Sequence, residues 1–569
     1  MRTLRSYERG WLRFDLIAGL VLAAILVPQG MAYAELAGLP PVTGLYTTIA
    51  CLVAYAIFGP SKVLVLGPDS SVSPLILASI TPLLVVGDPG SAIALAGLLA
   101  VLVGAIEVGL GVAKLGFVAD LLSSEVRVGY LNGLAITIIV GQLPKLFGFS
   151  VDADGFVDEV RGFVEGLSGR NAVTLLTGLC VLIVLLVLPR LTKKIPAVLV
   201  AVVGVTVASA LFDLAAHGVS TVGTLPKGFP TPQLPWTSAS DAVALAVGAV
   251  GITMVSLTDT IATASSFASR HDEEVDADAE MVGVGMANVA SGFFQGFAVS
   301  VSGSRTAVAD QSGAKTQVTG LVGAGLVALL LLVFNGLLAD LPQTALAAVV
   351  IAAAISLTDI PALVRFGRIR RSSLIISLVA TAGVIFLGVL QGIVVAIVLA
   401  ILLFFRRNWW PHGTELGEVP DVGGWHSLSM YPDARTEAGI VVYRWEAPLF
   451  FANAGQFRNQ IRSIVRHRHP EFIVVQCEAI TDIDVTAAEI LGDLDVELNE
   501  AGIHLAFVEL RDRLRTLITS YGLESTLDRE HFYPSVDAAV RSLSPEVDGG
   551  GDRGDDTGGG ELGDPDVDR

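Results

Sequence analysis

Long apolar runs, interrupted at short intervals by Gly, Pro and single charges, fill residues 14 to about 405 of the chain. Crossing a hydrocarbon core takes about 20 apolar residues per helix. Cut at its punctuation, this region gives about fourteen segments. They are 14–36, 42–59, 70–86, 90–113, 125–147, 171–188, 195–213, 241–268, 278–297, 303–314, 316–338, 342–358, 372–388 and 390–406. A polar, Pro-rich stretch, 214–240, divides them into two sets of seven. The third, entered through "GPSKVLVLGPDSSVSP", and the tenth, within "GFAVSVSGSRTAVADQSGA", are too interrupted for ordinary spans. Each puts a β-like stretch (Lys62–Leu66; Phe297–Val301) ahead of a short helix, at corresponding places in the two halves. Matched broken segments point to an inverted-repeat transporter with its site near the bilayer midplane. Irregular backbone survives at that depth only against protein or a cavity. Beyond about residue 425 the period changes. Strand-like runs at 439–451, 471–480 and 503–510 alternate with helical patterns at 454–468, 486–502 and 512–522. That alternation predicts a small α/β domain.

Composition agrees with the pattern. Hydrophobic residues make up 52% of the 569 positions and charged residues 16%, against roughly 25% charged in soluble domains. Arg2, Arg5, Arg9 and Arg13 precede the first segment, Lys62 follows the second, and Arg190, Lys193 and Lys194 precede the seventh. Arg270 follows the eighth, Arg365, Arg368, Arg370 and Arg371 precede the thirteenth, and Arg406 and Arg407 close the last. Positive charge marks cytoplasmic linkers, so both termini are expected on that side and the number of spans is even. The N-terminus carries no small-residue cleavage site and reads as an uncleaved first helix. The net charge of −19 gathers partly in an acidic end, 545–569, that reads as a solvated tail; no basic cluster suits nucleic acid. Cys51, Cys180 and Cys477 make neither a disulfide framework nor a zinc site. No P-loop, GxSxG or HExxH occurs, so the chain is not expected to be an enzyme or to hydrolyse ATP itself.

Candidate chemistry sits in three places. Between Asp241 and Arg270 the eighth segment holds one charge, Asp259, and Ser256, Asp259, Thr263 and Ser266 follow each other at helical spacings of three and four. Such a stripe offers oxygen ligands to Na⁺ or a titratable site for H⁺; its plainer role is a helix–helix hydrogen-bond seam. In the tenth segment, "SVSGSRT" places Ser302, Ser304 and Arg305 at a helix start, where unsatisfied N–H groups and the helix dipole attract anions. Arg305 adds a fixed charge, or else neutralises Asp259 or snorkels to an interface. Asp69 in the facing "GPDSS" reads as a cap of its own helix. In the first segment Pro28 and Gly30 are expected to loosen the helix, offering Gln29 and Tyr33 to a cavity. Glu107 reads as an acid paired across helices.

The runs "PQGMAYAELAGLPPVTGLY", "GPDSS" and "SRTAVADQSGAKTQ", with the terminal α/β domain, resemble the SulP (sulfate permease) family and its STAS domain, over about residues 8–545. The resemblance implies an all-α polytopic membrane protein of fourteen transmembrane segments, arranged as two inverted seven-segment repeats that form a core and a gate domain. It implies substrate-site roles for Gln29, Tyr33, Ser302, Ser304 and Arg305, and cation coupling at Asp259 with Thr263, by H⁺ or Na⁺. No other cofactor is expected. The tenth-segment lead-in, "AVSVSGS", departs from the Pro-Val-containing form common in bacterial members. "TDIDVTAAE" resembles the loop holding a phosphorylatable residue in anti-sigma antagonists, which places Thr486 at a regulatory position; a helix N-cap is its plainer role. The expected organisation is a cytoplasmic N-terminus (1–13), a transport domain (14–407), a linker (408–435), the STAS domain (436–545) and an acidic tail (546–569). The expected function is secondary transport of sulfate, bicarbonate or a dicarboxylate across the cell membrane, in a homodimer, by movement of the core past the gate. An anion channel, a membrane sensor signalling through the STAS domain, and a nucleobase–cation symporter of the same fold are the alternatives.

Overall fold

A computed structural model describes residues 7–544 apart from 86–88, 118–122, 152, 154, 193–195, 236, 271–273, 524–526 and 528. The acidic tail, Arg2, Arg5, Lys193 and Lys194 lie outside the described residues. The chain divides into two compact units, one ending at Ile401 and the other beginning at Leu402.

In the first unit a helix falls within each expected segment. They are α1 (Leu12–Leu36), α2 (Pro41–Phe58), α3 (Ser73–Ile80), α4 (Pro89–Val112) and α5 (Ser124–Phe147). After α6 (Phe156–Gly166) come α7 (Ala172–Leu191), α8 (Ala197–Phe212), α9 (Ala239–Ala268), α10 (Ala277–Phe293) and α11 (Gly303–Gln311). The set closes with α12 (Val318–Val333), α13 (Gln343–Leu357), α14 (Ile360–Ile369), α15 (Arg371–Leu387) and α16 (Val389–Trp409). Among the described residues, seven helical stretches are long and apolar enough to cross a membrane. The helices α6 and α14 were not expected. Each is short and carries charge on one face, as in "FVDEVRGFVEG", which a scan for long apolar runs passes over. Pro28 does not open α1, which continues through it as one helix.

Close packing rests on glycine. Helices α4 and α10 run antiparallel, Gly97 against Gly292 and Gly104 against Gly285. A Cβ on Gly104 would sit 2.4 Å from the Gly285 carbonyl oxygen, and one on Gly285 would sit 2.8 Å from the Gly104 oxygen. Only hydrogen fits between backbones that close, and van der Waals contact is what holds helices together where no water is expelled. Gly44 of α2 meets the Gly30 carbonyl of α1 at 1.9 Å on the same test, which explains glycine in "PQGMAYAELAGLPPVTGLY" better than helix loosening does.

The expected strand-like stretches shrink to two residues each. β1 (Leu66–Gly67) and β2 (Ser300–Val301) pair antiparallel, Leu66 opposite Val301 and Gly67 opposite Ser300. They lead into α3 and α11, about 12 and 14 Å long at 1.5 Å per residue, well short of the ~30 Å hydrocarbon core.

The second unit is a six-stranded sheet of order β4-β3-β5-β6-β7-β8. Its strands are β3 (Gly413–Glu418), β4 (Trp425–Ser427), β5 (Ile440–Trp445), β6 (Phe472–Gln476), β7 (His504–Val508) and β8 (Phe532–Tyr533). The last four pair in parallel, while β3 runs antiparallel to both neighbours. Strands β3 and β4 fall in the stretch expected to be linker; both are polar and short, with little alternation to mark them. Helices α17 (Ala454–Arg468), α18 (Val485–Glu500) and α19 (Asp512–Ser520) cover one core around Trp445, Phe457, Ile473 and Leu494, and α20 (Val536–Leu543) covers the other face.

Candidate functional site

Arg305 lies in the first turn of α11, and its side chain is 1% exposed. Its guanidinium packs on the backbone of β1: a Cβ at Gly67 would meet Nη1 at 2.9 Å. The guanidinium faces Asp69, with Nη2 3.8 Å from Oδ2, too long for a hydrogen bond. Nε, Nη1 and Nη2 are all buried without a hydrogen-bond partner. A buried charge with no acceptor is expensive, and this donor set has the chemistry to take a negative group. The two plainer readings of Arg305 fail. The acid it pairs with is Asp69, brought to it by the β1–β2 pairing, and at 1% exposure it does not reach an interface.

The surrounding hydroxyls converge. Ser302 is buried and Ser304, in the open first turn of α11, lies 3.2 Å from it, Oγ to Oγ. Tyr33 is buried on α1, in contact with Ser70 and within reach of the charges of Asp69 and Arg305. Gln29 is half-buried one helical turn away on the same face of α1. Asp69 does not cap α3. Its Oδ1 accepts from the Ser71 amide at 3.0 Å and the Ser71 hydroxyl at 2.8 Å, forming a turn ahead of the helix, whose N-cap position is Val72.

Ser71 also joins the two acids, its Oγ donating toward Asp259 Oδ2 at 3.0 Å. Thr263 lies beside the start of α11, its Oγ1 3.6 Å from where a Cβ on Gly303 would be. The expected stripe on α9 is shorter than its spacing implied. Ser256 is buried against the Val299 carbonyl at 3.4 Å, and Asp259 and Thr263 are half-buried, but Ser266 is exposed one turn beyond the contact. From α5, Arg127 and Tyr130 are near enough to interact with Asp259, and the Tyr130 hydroxyl is buried without a partner. No cluster of three metal-ligating side chains occurs among the described residues.

Three buried polar groups escaped the sequence reading. Asp15 is wholly buried, accepting from the Lys315 amide (2.7 Å), the Thr316 amide (3.1 Å), the Thr316 and Thr319 hydroxyls (2.7 and 3.0 Å) and the Tyr7 hydroxyl (3.2 Å). It thereby pins "AKTQ" after α11. Glu280 accepts from Tyr55 at 2.6 Å and from Ser61. Gln317 holds the chain ahead of β1. An acid inside an apolar span was the available signal for Asp15; the others sit beside charged linkers and look like them. Glu107, read as paired across helices, takes an amide N–H of Asn288 at 2.7 Å, while its Oε1 has no partner.

In the second unit Thr486 is exposed in the first turn of α18, and Asp484 is the N-cap, accepting from the Ala487 amide at 2.8 Å. The plainer role expected of Thr486 belongs to the residue two before it.

Two broken helices meeting tip to tip beside a buried arginine whose nitrogens have no hydrogen-bond partner, on a largely helical apolar unit, define a class: polytopic membrane transporters with the site between discontinuous helices. The chain belongs to the sulfate permease family of anion transporters, matching it over residues 12–380, and carries a STAS domain over residues 431–539. It is 40% identical over 541 residues to a probable sulfate transporter of Mycobacterium tuberculosis, covering 95% of this chain and 96% of that one. Its fold matches murine solute carrier 26 family member A9, an anion transporter solved in the inward-facing state, with TM-score 0.85, 24% identity and coverage of 95% and 92% of the two chains. It also matches the transmembrane domain of a cyanobacterial bicarbonate transporter, BicA, with TM-score 0.61, 24% identity and coverage of 69% and 98%.

Proposed function

We propose that the protein carries a small oxyanion, with sulfate as the leading substrate, bound between the tips of α3 and α11. The observation that carries this reading is the Arg305 guanidinium, buried beside Asp69 with none of its three nitrogens hydrogen-bonded. A tetrahedral or planar oxyanion supplies acceptors in the geometry of that fork. Ser302, Ser304, Tyr33 and Gln29 stand near enough to donate the remaining hydrogen bonds, and the start of α11 adds its free N–H groups. The relatives named as sulfate transporters favour sulfate; bicarbonate and dicarboxylates share the same chemistry.

Charge balance supports coupling to a cation. Asp69 and Asp259 are already balanced by Arg305 and by Arg127 near Asp259, so a divalent anion adds uncompensated negative charge to the site. A proton or Na⁺ held at Asp259, with Thr263 as a neighbouring oxygen ligand, offsets part of that charge. Transport then follows a movement of the broken-helix bundle past the remaining helices. The lysine and arginine linkers favour placing both termini on the cytoplasmic side, and the Mycobacterium relative favours a bacterial inner membrane. Assembly as a homodimer and regulation at Thr486 belong to the same proposal.

Uptake of labelled sulfate into proteoliposomes tests the reading. Arg305→Ala is expected to abolish it while insertion and folding persist; normal uptake by that variant would refute the site. A nucleobase symporter has no use for a buried arginine fork, and uracil should not compete with sulfate.

A further inference from the structure

The tips of α3 and α11 are reached through backbone that belongs to no helix and pairs over only two residues per strand. At membrane depth every peptide group there needs a partner. Thr47 accepts the Phe297 N–H at 3.1 Å and Ser256 donates to the Val299 oxygen at 3.4 Å, and three further side chains serve the segments around β1 and β2. Gln317, 5% exposed, donates from Nε2 to the Ser61 oxygen at 3.0 Å and the Leu64 oxygen at 2.9 Å. Thr306, on α11 and wholly buried, accepts the Val65 N–H at 3.1 Å, while the Val65 oxygen accepts the Ser302 N–H at 3.0 Å. Asn288, wholly buried on α10, takes both polar groups of Val299: Oδ1 accepts the N–H at 2.7 Å and Nδ2 donates to the oxygen at 3.3 Å. Its Nδ2 also donates to Glu107, which fixes the amide's orientation.

We infer that Asn288, Thr306 and Gln317 are positioning residues for the anion site. They act through backbone, each standing where a strand neighbour would be in a wider sheet. Their bonds end within a few residues of Gly67 and Ser302, so together they set the spacing between the Asp69 turn and the Arg305 guanidinium. This inference rests on the anion-binding reading above. Misplacing such a cradle by a fraction of an ångström weakens the anion's contacts while the helices stay packed.

The test compares full-length variants by sulfate uptake against concentration in proteoliposomes, and by the rise in unfolding temperature that sulfate produces in detergent. Thr306→Val keeps the shape and loses the acceptor; Thr306→Ser keeps the acceptor. Gln317→Glu loses both donors, and Asn288→Asp keeps the bond from the Val299 amide and loses two. Thr306→Val is expected to raise the half-saturating sulfate concentration about tenfold, the effect of one lost buried hydrogen bond, and Gln317→Glu, which loses two, at least as much. The maximal rate should fall much less, the sulfate-induced stabilisation should shrink in parallel, and Thr306→Ser should resemble wild type. Unchanged half-saturation in Thr306→Val, or equal damage from Thr306→Ser, overturns the inference. If Thr306→Val does not fold, Asn288→Asp decides by the same measurement. A wild-type protein that neither transports nor is stabilised by sulfate, bicarbonate or a dicarboxylate defeats the anion reading itself. A responsive wild type with unaffected variants defeats only this inference.

Discussion

At the scale of the residue, the site turns on one guanidinium and the acid that faces it. Arg305 and Asp69 stand 3.8 Å apart, close enough to share charge and too far to exhaust the donors. A lysine at 305 would keep the charge and lose the planar fork. Arg305→Lys is therefore expected to weaken sulfate binding on the order of tenfold or more, as loss of a charge-assisted hydrogen bond does, with folding intact. Saturation curves for uptake check it. Asp259 tests coupling separately. On the proposed role, Asp259→Asn leaves the Arg305 fork in place and removes the carboxylate that holds the cation. Residual sulfate uptake by this variant should no longer respond to Na⁺ or to pH; a full response would place the coupling ion elsewhere. Both residues stood out in the sequence as charges in apolar surroundings. Which acid meets the arginine did not, because that depends on the antiparallel register of β1 and β2.

At the scale of the element, glycine spacing decides how near two helices come. The seven-residue intervals Gly97–Gly104 on α4 and Gly285–Gly292 on α10 lay in view in the sequence, yet apolar periodicity assigns them only to spans. Gly104→Leu forces a side chain into a gap where even a Cβ would be 2.4 Å from a carbonyl oxygen. The expected result is a loss of about 1–3 kcal/mol or more, the range for overpacking, seen as a lower unfolding temperature and less folded transporter. The same mutation at Gly109, where a Cβ meets nothing within 4 Å, should be tolerated. Short elements were the hardest to read. β1 and β2 have two residues each, below any periodicity, and α6 and α14 are amphipathic pieces between apolar runs.

At the scale of the molecule, the decisive measurement is whether the anion accumulates. A coupled carrier concentrates sulfate in proteoliposomes against its gradient and loses that ability when an ionophore dissipates the driving ion; a channel or sensor only equilibrates it. The STAS unit has a check of its own. Cys477 is 1% exposed on the inner side of the sheet, and burial pushes its thiol well above the usual cysteine range. It should resist maleimide at neutral pH in the native full-length protein and react once urea opens the unit.

The chain's own letters determined what depends on local pattern. Apolar runs set the helices of the membrane unit, paired interruptions marked the two broken ones, and alternating periods announced the α/β end; each is decided by neighbours a few residues apart. Tertiary structure alone decided the partnerships: Asp15 with Thr316, Asn288 with Val299, Gln317 with Leu64, and Arg305 with Asp69 in place of Asp259. These bonds join groups up to 301 residues apart, and nothing in an asparagine or an aspartate letter records which backbone it will face. Burial at membrane depth makes every such pairing obligatory, so the fold, once closed, fixes them all together.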